Sequence, residues 1–223
     1  MNSLKTCKIA TLLSLAFGLA FSSFSQANSL VIDNFSDYQY VSDVGGDNSE
    51  TTDGPRAIVG TGLTGATRTL IAQATGSNFH ETAIETDNAL SISNTSQSAG
   101  NASVIWNFNL TDFTLHGNAI MLQVLAIDIQ SGVFVEMIAN GSSSSNQIAI
   151  NGAGDLYVNF SDFDDASVFQ GLSQFQLNFK GPVSWDAEFN VVTATTPVPL
   201  PPAFALMSLA LVGISSFRKL QHI

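Results

Sequence analysis

Short runs in which apolar and polar residues alternate constrain the fold of this chain more than any other feature. Phe175, Leu177 and Phe179 alternate with amide side chains, and the run from Val104 to Phe108 has the same pattern. A period of two is that of a strand with one buried and one wet face. Only 11% of the residues are charged, so the Lys, Arg and Glu that favour exposed helices are scarce. The pattern predicts an all-β fold.

About a dozen such runs, separated by glycine, asparagine and serine turns, favour one antiparallel β-sandwich over 28–192, jelly-roll-like in its connections. The most apolar run, 119–129, predicts a central strand covered on both faces. A single helical turn is predicted over 165–170, capped by an aspartate. The predicted strands are 30–35, 38–42, 56–59, 68–73, 89–92, 104–108, 119–129, 133–139, 147–150, 156–160, 174–179 and 183–192.

The charges of this body are almost all negative. Residues 28–197 contain three cations, Arg56, Arg68 and Lys180, against all 18 acidic residues of the chain, a net charge of −15. Proteins that bind nucleic acid neutralise its phosphates with lysine and arginine. The charge balance therefore excludes nucleic acid as a partner.

The first 27 residues have the pattern of a secretory signal peptide. Lys5 and Lys8 precede an apolar run of about a dozen residues, and the small residues Ser25 and Ala27 occupy the two positions that signal peptidase reads for cleavage after Ala27. A transmembrane anchor is the alternative, but the run is shorter than the ~20 residues that span a bilayer. We predict that 1–27 is removed by signal peptidase. Cys7, the one cysteine, leaves with it.

The other end of the chain carries a second apolar run. We predict a linker over 193–202, a transmembrane helix over 203–217 and a basic cytoplasmic tail over 218–223. A helix from Pro199 to Phe217 measures about 28 Å, close to the ~30 Å hydrocarbon core of a bilayer. A permanent tail anchor and a sorting signal both fit these features.

Val198, Pro199, Leu200 and Pro201, followed by the apolar run and two cations, resemble the sorting signal of PEP-CTERM proteins in its Val-Pro-Leu-Pro variant. That family occurs in Gram-negative bacteria that make exopolysaccharide. The resemblance implies that an exosortase recognises the four residues and removes the helix. It also implies a precursor held transiently in the inner membrane, and a product at the cell surface or in the extracellular biofilm matrix.

The body itself resembles the galactose-binding-like jelly rolls of carbohydrate-binding modules. The resemblance lies in the first predicted strand, Leu30 to Phe35, and in the last two segments of the body, 174–179 and 185–189. It implies a lectin-like sandwich with neighbouring terminal strands, no catalysis, and extracellular polysaccharide as partner.

Sugar sites combine an aromatic ring with planar amides on a sheet face or loop. Trp106 and Trp185 share their strand faces with apolar residues and are predicted to lie in the core. Tyr157 falls on a wet face, and Tyr38 and Tyr40 are an alternative ring pair. The predicted sugar-binding residues are Tyr157, Asn159, Gln174, Gln176 and Asn178.

Calcium is the one cofactor that the sequence favours, because oxygen-rich loops suit a hard cation. The candidate ligands are Asp43, Asp47, Glu50 and Asp53. Pairing of the terminal strands would create an alternative cluster in which Asp33 meets Asp186 or Glu188. Ordinary solvated acidic loops remain a third interpretation.

Catalytic motifs are weak. The glycines from Gly60 to Gly65 match a dinucleotide fingerprint by letter, but the residues after them favour a strand, so a glycine-rich hairpin is predicted. Asp162, Asp164 and Asp165 are candidates for a pair of glycosidase carboxylates.

We therefore predict a non-enzymatic exported protein that associates with polysaccharide. The alternatives are a structural or adhesive surface protein and a secreted polysaccharide hydrolase.

Overall fold

The computed structural model describes residues 29–47, 49–128 and 132–197. Within these residues the regular structure consists of strands and three short 3₁₀-helices, Phe113–Leu115, Phe160–Asp162 and Ala166–Gln170. The strands are β1 Leu30–Asp33, β2 Gln39–Val44, β3 Thr51–Ala57, β4 Thr67–Gln73, β5 Glu81–Thr86, β6 Leu90–Asn94, β7 Asn101–Thr111, β8 Ala119–Ile127, β9 Phe134–Ala139, β10 Ser143–Ser144, β11 Ile148–Ala149, β12 Gly154–Asn159, β13 Leu172–Lys180 and β14 Ala187–Thr195.

These strands form two seven-stranded sheets. Sheet 1 has the order β12-β8-β14-β6-β5-β2, with β1 also paired to β14; sheet 2 has the order β10-β9-β13-β7-β4-β3, with β11 also paired to β9. Every named pairing is antiparallel. The predicted all-β, antiparallel sandwich is confirmed. The neighbouring terminal strands are confirmed as well, since Leu30 of β1 faces Ala194 of β14.

The core lies between the sheets and is rich in aromatic rings. Trp106 and Trp185 are fully buried, as predicted. Trp106 stacks on Phe175 with ring centroids 6.1 Å apart, and Phe179 meets Phe189 of the other sheet at 4.8 Å. These contacts arise because the apolar residues of each alternating run point to the same side.

One buried polar network also joins the sheets. Arg68 of β4 is fully buried, and its Nη1 donates to Asp33 Oδ2 of β1 at 2.7 Å. Its Nε donates to Gln39 Oε1 at 3.0 Å, and its Nη2 donates to Thr86 Oγ1 at 2.7 Å. Trp106 Nε1 donates to the same Asp33 oxygen at 2.8 Å. Each charged atom thus has partners, as burial of an ion requires.

Several local predictions can be compared with these elements. The helical turn is confirmed as the 3₁₀-helix Ala166–Gln170, capped by Asp165, whose carboxylate accepts from Ser167 N. The glycine-rich hairpin is confirmed, since β3 and β4 pair across it. The prediction that 119–129 is covered on both faces is wrong: β8 lies between β12 and β14, but Leu125 on it is 43% exposed.

The predicted ends of the chain lie outside the described residues. These are the signal peptide over 1–27, the motif over 198–201, the apolar helix over 203–217 and the tail over 218–223. Strand β14 continues to Thr195, past the predicted domain end at residue 192. Across 29–47, 49–128 and 132–197 no helix reaches the length and hydropathy of a membrane span.

Candidate functional site

The outer face of sheet 2 carries a regular grid of polar side chains. Four adjacent strands, β4, β7, β13 and β9, place their outward residues in register. One cross-strand row contains Gln73, Asn101, Lys180 and Phe134; the next contains Ile71, Ser103, Asn178 and Glu136; a third contains Thr69, Ile105, Gln176 and Ile138; and a fourth contains Thr67, Asn107 and Gln174.

Hydrogen bonds between neighbouring strands hold these amides in fixed orientations. Ser103 Oγ donates to Asn178 Oδ1 at 2.9 Å, and Gln174 Nε2 donates to Asn107 Oδ1 at 2.9 Å. Gln176 Nε2 also donates to Asn178 Oδ1, along the same strand. Because directly opposed side chains lie about 5 Å apart, such pairs order each other before any ligand arrives.

The first two rows, together with Gln176 of the third row, form the floor of an open groove of about 340 Å³. Phe134 and Ile71 give this floor apolar surface, while Asn101, Gln176 and Asn178 give it amides. Its volume falls in the range of small-molecule sites, which combine apolar surface with a few placed polar groups. We call this surface, lined by residues of β4, β7, β13 and β9, the amide groove.

The charge of the amide groove is nearly balanced. Glu50 and Glu136 line it together with Lys180. Within the described residues Lys180 is the one cation without a carboxylate within 4.0 Å, since Arg56 pairs with Asp53 and Arg68 with Asp33. The groove therefore differs from the strongly anionic chain as a whole.

The structure brings together three of the five predicted sugar-binding residues. Gln174, Gln176 and Asn178 share the outer face of β13 in sheet 2. Tyr157 and Asn159 share a wet face, as predicted, but they lie on β12 at the edge of sheet 1. The prediction that all five form one surface is therefore wrong, because β12 pairs with β8 rather than with β13.

Tyr157 lines a separate cleft of about 470 Å³. This edge cleft, as we name it, lies where β12 faces the segment 145–148 and the loop that holds Asp162 and Asp164. The Tyr157 hydroxyl donates to Asp155 Oδ2 at 3.5 Å. Partial burial, and then the neighbouring Asp155 carboxylate, raise the pKa of Tyr157 above its usual value.

The four predicted calcium ligands are engaged separately. Asp43 is buried and accepts from Thr51 Oγ1 at 2.6 Å and from Ala74 N at 2.7 Å. Asp47 accepts from Ser49 N, which lowers the pKa of Asp47. Asp53 pairs with Arg56, and Glu50 lines the amide groove. Among the described residues no group of three or more His, Cys, Asp or Glu side chains is arranged to hold a metal ion.

The alternative acidic cluster does not form either. Asp33 is held inside the sandwich by Arg68, whereas Asp186 accepts from Asn94 N at 2.7 Å at the far end of β6. The alternative ring pair, Tyr38 and Tyr40, lies at the β2 edge of sheet 1, where both rings are exposed.

Sequence reasoning missed the apolar half of the amide groove. Phe134 and Ile138 alternate with Val135 and Met137 on β9, so both faces of that strand are apolar in sequence. Alternation alone cannot say which set points outward. The acidic residue between them, Glu136, is the one signal that marks the outer face.

No family model matches the chain, and no curated protein matches it. Solved structures that match the chain include the solution structure of CtCBM11, with 10% identity and a TM-score of 0.43 over 79% of this chain and 100% of that one. The family 11 carbohydrate-binding module of the cellulosomal cellulase Lic26A-Cel5E of Clostridium thermocellum has 11% identity and a TM-score of 0.39, covering 79% and 99%. PfGH50B has 9% identity and a TM-score of 0.39, covering 57% of this chain and 22% of that one. These values are too low to transfer a ligand or a site to this chain.

Proposed function

We propose that this protein is a non-catalytic, exported polysaccharide-binding protein of the cell surface or extracellular matrix. It binds a glycan chain in the amide groove of sheet 2. An exosortase sorts it through Val198 to Pro201, as the resemblance to the PEP-CTERM signal implies. The observation that carries the binding role is the in-register set of amides on four neighbouring strands.

The groove suits an extended saccharide. Four strands at a spacing of about 4.8 Å span about 14 Å, enough for a short stretch of sugar rings lying across them. Amides can donate to and accept from the same hydroxyl-bearing ring. Phe134 and Ile71 offer apolar surface to the faces of the rings, as saccharide sites require.

The groove favours a neutral glycan over an acidic one. Two carboxylates line it against one cation, and the body around it is anionic. A polymer of uronic acids would meet net repulsion from this field.

Binding of the purified protein to a panel of neutral and acidic polysaccharides tests the proposal. Paired substitution of Gln176→Ala and Asn178→Ala removes the central amides, and we expect it to weaken neutral-glycan binding about tenfold or more. Asn151→Ala is the matched control, since Asn151 is an exposed amide between β11 and β12 that lines neither the amide groove nor the cleft at Tyr157. Equal affinity of the paired variant and the intact protein would contradict the role of the groove.

Other outcomes separate the alternatives. Failure to bind any glycan would favour a structural or adhesive role. Release of shorter saccharides, abolished by Asp162→Asn or Asp164→Asn, would favour a hydrolase.

The sorting proposal has its own measurement. Mass spectrometry of the protein from its host should find a mature start at Asn28 and an end close to Val198–Pro201. A product that still ends at Ile223 would exclude removal of the helix.

A further inference from the structure

The edge cleft is concave and combines the groups that a saccharide site needs. Tyr157, 42% exposed, forms one wall, and Asn146 and Ser161 line it as hydrogen-bonding groups. Ile148 and Phe163 give it an apolar floor. Its volume of about 470 Å³ exceeds that of the amide groove. A ring beside polar groups in a concavity is the usual form of a small-molecule site.

The two carboxylates of the cleft are fixed by the protein and yet available. Asp162 Oδ2 accepts from the backbone N and the Nδ2 of Asn159, both at 3.0 Å. Asp164 Oδ2 accepts from Ser144 Oγ at 2.9 Å. The Oδ1 atoms of both residues accept no hydrogen bond from the described residues. They are therefore acceptors whose position is set before a ligand binds.

The position of the Tyr157 ring is also set. Its hydroxyl is tied to Asp155, which accepts at its other oxygen from Gln123 Nε2 at 3.3 Å. Gln123 in turn accepts from Asn190 Nδ2 at 2.7 Å. This chain of hydrogen bonds runs over three strands of sheet 1 and leaves the ring itself beside the cleft.

We infer that the edge cleft is a second saccharide site. One sugar ring stacks on Tyr157, and the carboxylates of Asp162 and Asp164 accept hydrogen bonds from the hydroxyl groups of that sugar. No lysine or arginine lines it among the residues that the structure describes, so its ligand is a neutral or amino sugar rather than an acidic one.

The arrangement of the two sites has a consequence for polysaccharide. The amide groove lies on the outer face of sheet 2, and the edge cleft lies at the β12 edge of sheet 1. A single chain of the protein can then hold two glycan chains, and a bivalent binder cross-links them. This part of the inference rests on the proposed function of the groove.

The test uses the purified protein, a neutral oligosaccharide and the corresponding polymer. We expect two binding sites per chain and turbidity when the polymer is added. Tyr157→Ala should weaken saccharide binding at the cleft about tenfold and abolish turbidity. Binding at the amide groove should stay unchanged. Tyr157→Phe keeps the stacking ring but loses the bond to Asp155, so it should retain turbidity and weaken saccharide binding at the cleft less than Tyr157→Ala does.

Tyr40→Ala is the matched control, because Tyr40 is 43% exposed and lies at the opposite edge of sheet 1. A second readout is the NMR signals of the Tyr157 ring. These signals should shift when saccharide is added, even in the Gln176→Ala and Asn178→Ala variant that lacks binding at the amide groove.

Two negative results are distinguishable. One binding site, a Tyr157 signal that does not move, and turbidity unaffected by Tyr157→Ala would overturn the second site and leave the proposed function standing. Absence of all glycan binding in the intact protein would overturn both.

Discussion

At the scale of single residues, the most consequential feature is a complete ion pair inside an apolar sandwich. Arg68 and Asp33 have no exposed side-chain surface, and the same Asp33 oxygen also accepts from Trp106. A buried ion pair adds little net stability over apolar residues, but removing one partner leaves a charge without compensation. The pair therefore fixes how β1 of sheet 1 meets β4 of sheet 2.

Asp33→Asn should destabilise the fold by about 3–5 kcal/mol, because Arg68 then remains charged and buried. Urea unfolding measures this loss. Adding Arg68→Met should recover part of it, since the unpaired cation is removed. Arg56→Ala, which breaks the exposed pair with Asp53, is the control and should cost about 0–1 kcal/mol. Equal effects of Asp33→Asn and Arg56→Ala would contradict this account.

The titration of Tyr157 supplies a second prediction at this scale. Partial burial and the Asp155 carboxylate both disfavour the phenolate and raise the pKa of Tyr157. Folding therefore favours the neutral phenol, and that contribution is lost as the pH rises through the folded pKa. Asp155→Asn should lower the pKa of Tyr157 towards its ordinary value of about 10, although burial keeps it raised. Ultraviolet titration of the three tyrosines, with Tyr157→Phe to assign the signal, measures it.

At the scale of elements, the turn after β9 helps to position the amide groove. Asn140 and Gly141 both have positive φ, 49° and 66°, and Ser142 N donates to Ala139 O to close the turn. The Asn140 side chain accepts from the backbone N of Ser173 and of Gln174. The turn thus holds the start of β13, from which the groove amides project.

Gly141→Ala should destabilise the protein by about 1–2 kcal/mol, because a left-handed backbone crowds a Cβ. That Cβ would also lie 3.3 Å from Gln174 Oε1. Gly152→Ala is the control, since a Cβ there meets no atom within 4 Å and no positive φ opposes it. Thermal unfolding compares the two variants. If Gly152→Ala lost as much stability as Gly141→Ala, the left-handed backbone of the turn would not be the cause of the loss.

Prediction from sequence succeeded for elements whose buried face is apolar and failed where that face is polar. Strand β5 was missed because Thr82 and Thr86 are two of its three core-facing residues. Both threonines are buried with hydrogen bonds, to Asn94 and to the Arg68 network. Alternation of hydrophobicity cannot detect such a strand, because the partners that permit its burial are distant in sequence.

At the scale of the whole molecule, pairing between distant strands decided what local patterns could not. The sequence placed Tyr157 and the β13 amides correctly on outward faces, yet they belong to different sheets. The order of strands in each sheet depends on contacts far apart along the chain, such as Ala119 of β8 with Thr195 of β14. The outward placement of these residues was therefore predictable, but their separation onto two sheets was not.

The charge of the whole molecule leads to the last prediction. Eighteen acidic residues against three cations over residues 28–197 create a field that repels anionic polymers. Salt at 0.1 M limits the reach of this field to about 10 Å from the surface. Affinity for a uronic-acid polymer should therefore be weak at low salt and rise with added salt, while affinity for a neutral polymer stays constant. Calorimetry on a neutral polymer and its carboxylated form, with a chelator to exclude bridging by divalent cations, measures both trends. Tighter binding of the carboxylated form at low salt would mean that a local cationic surface around Lys180 outweighs the net charge of the body.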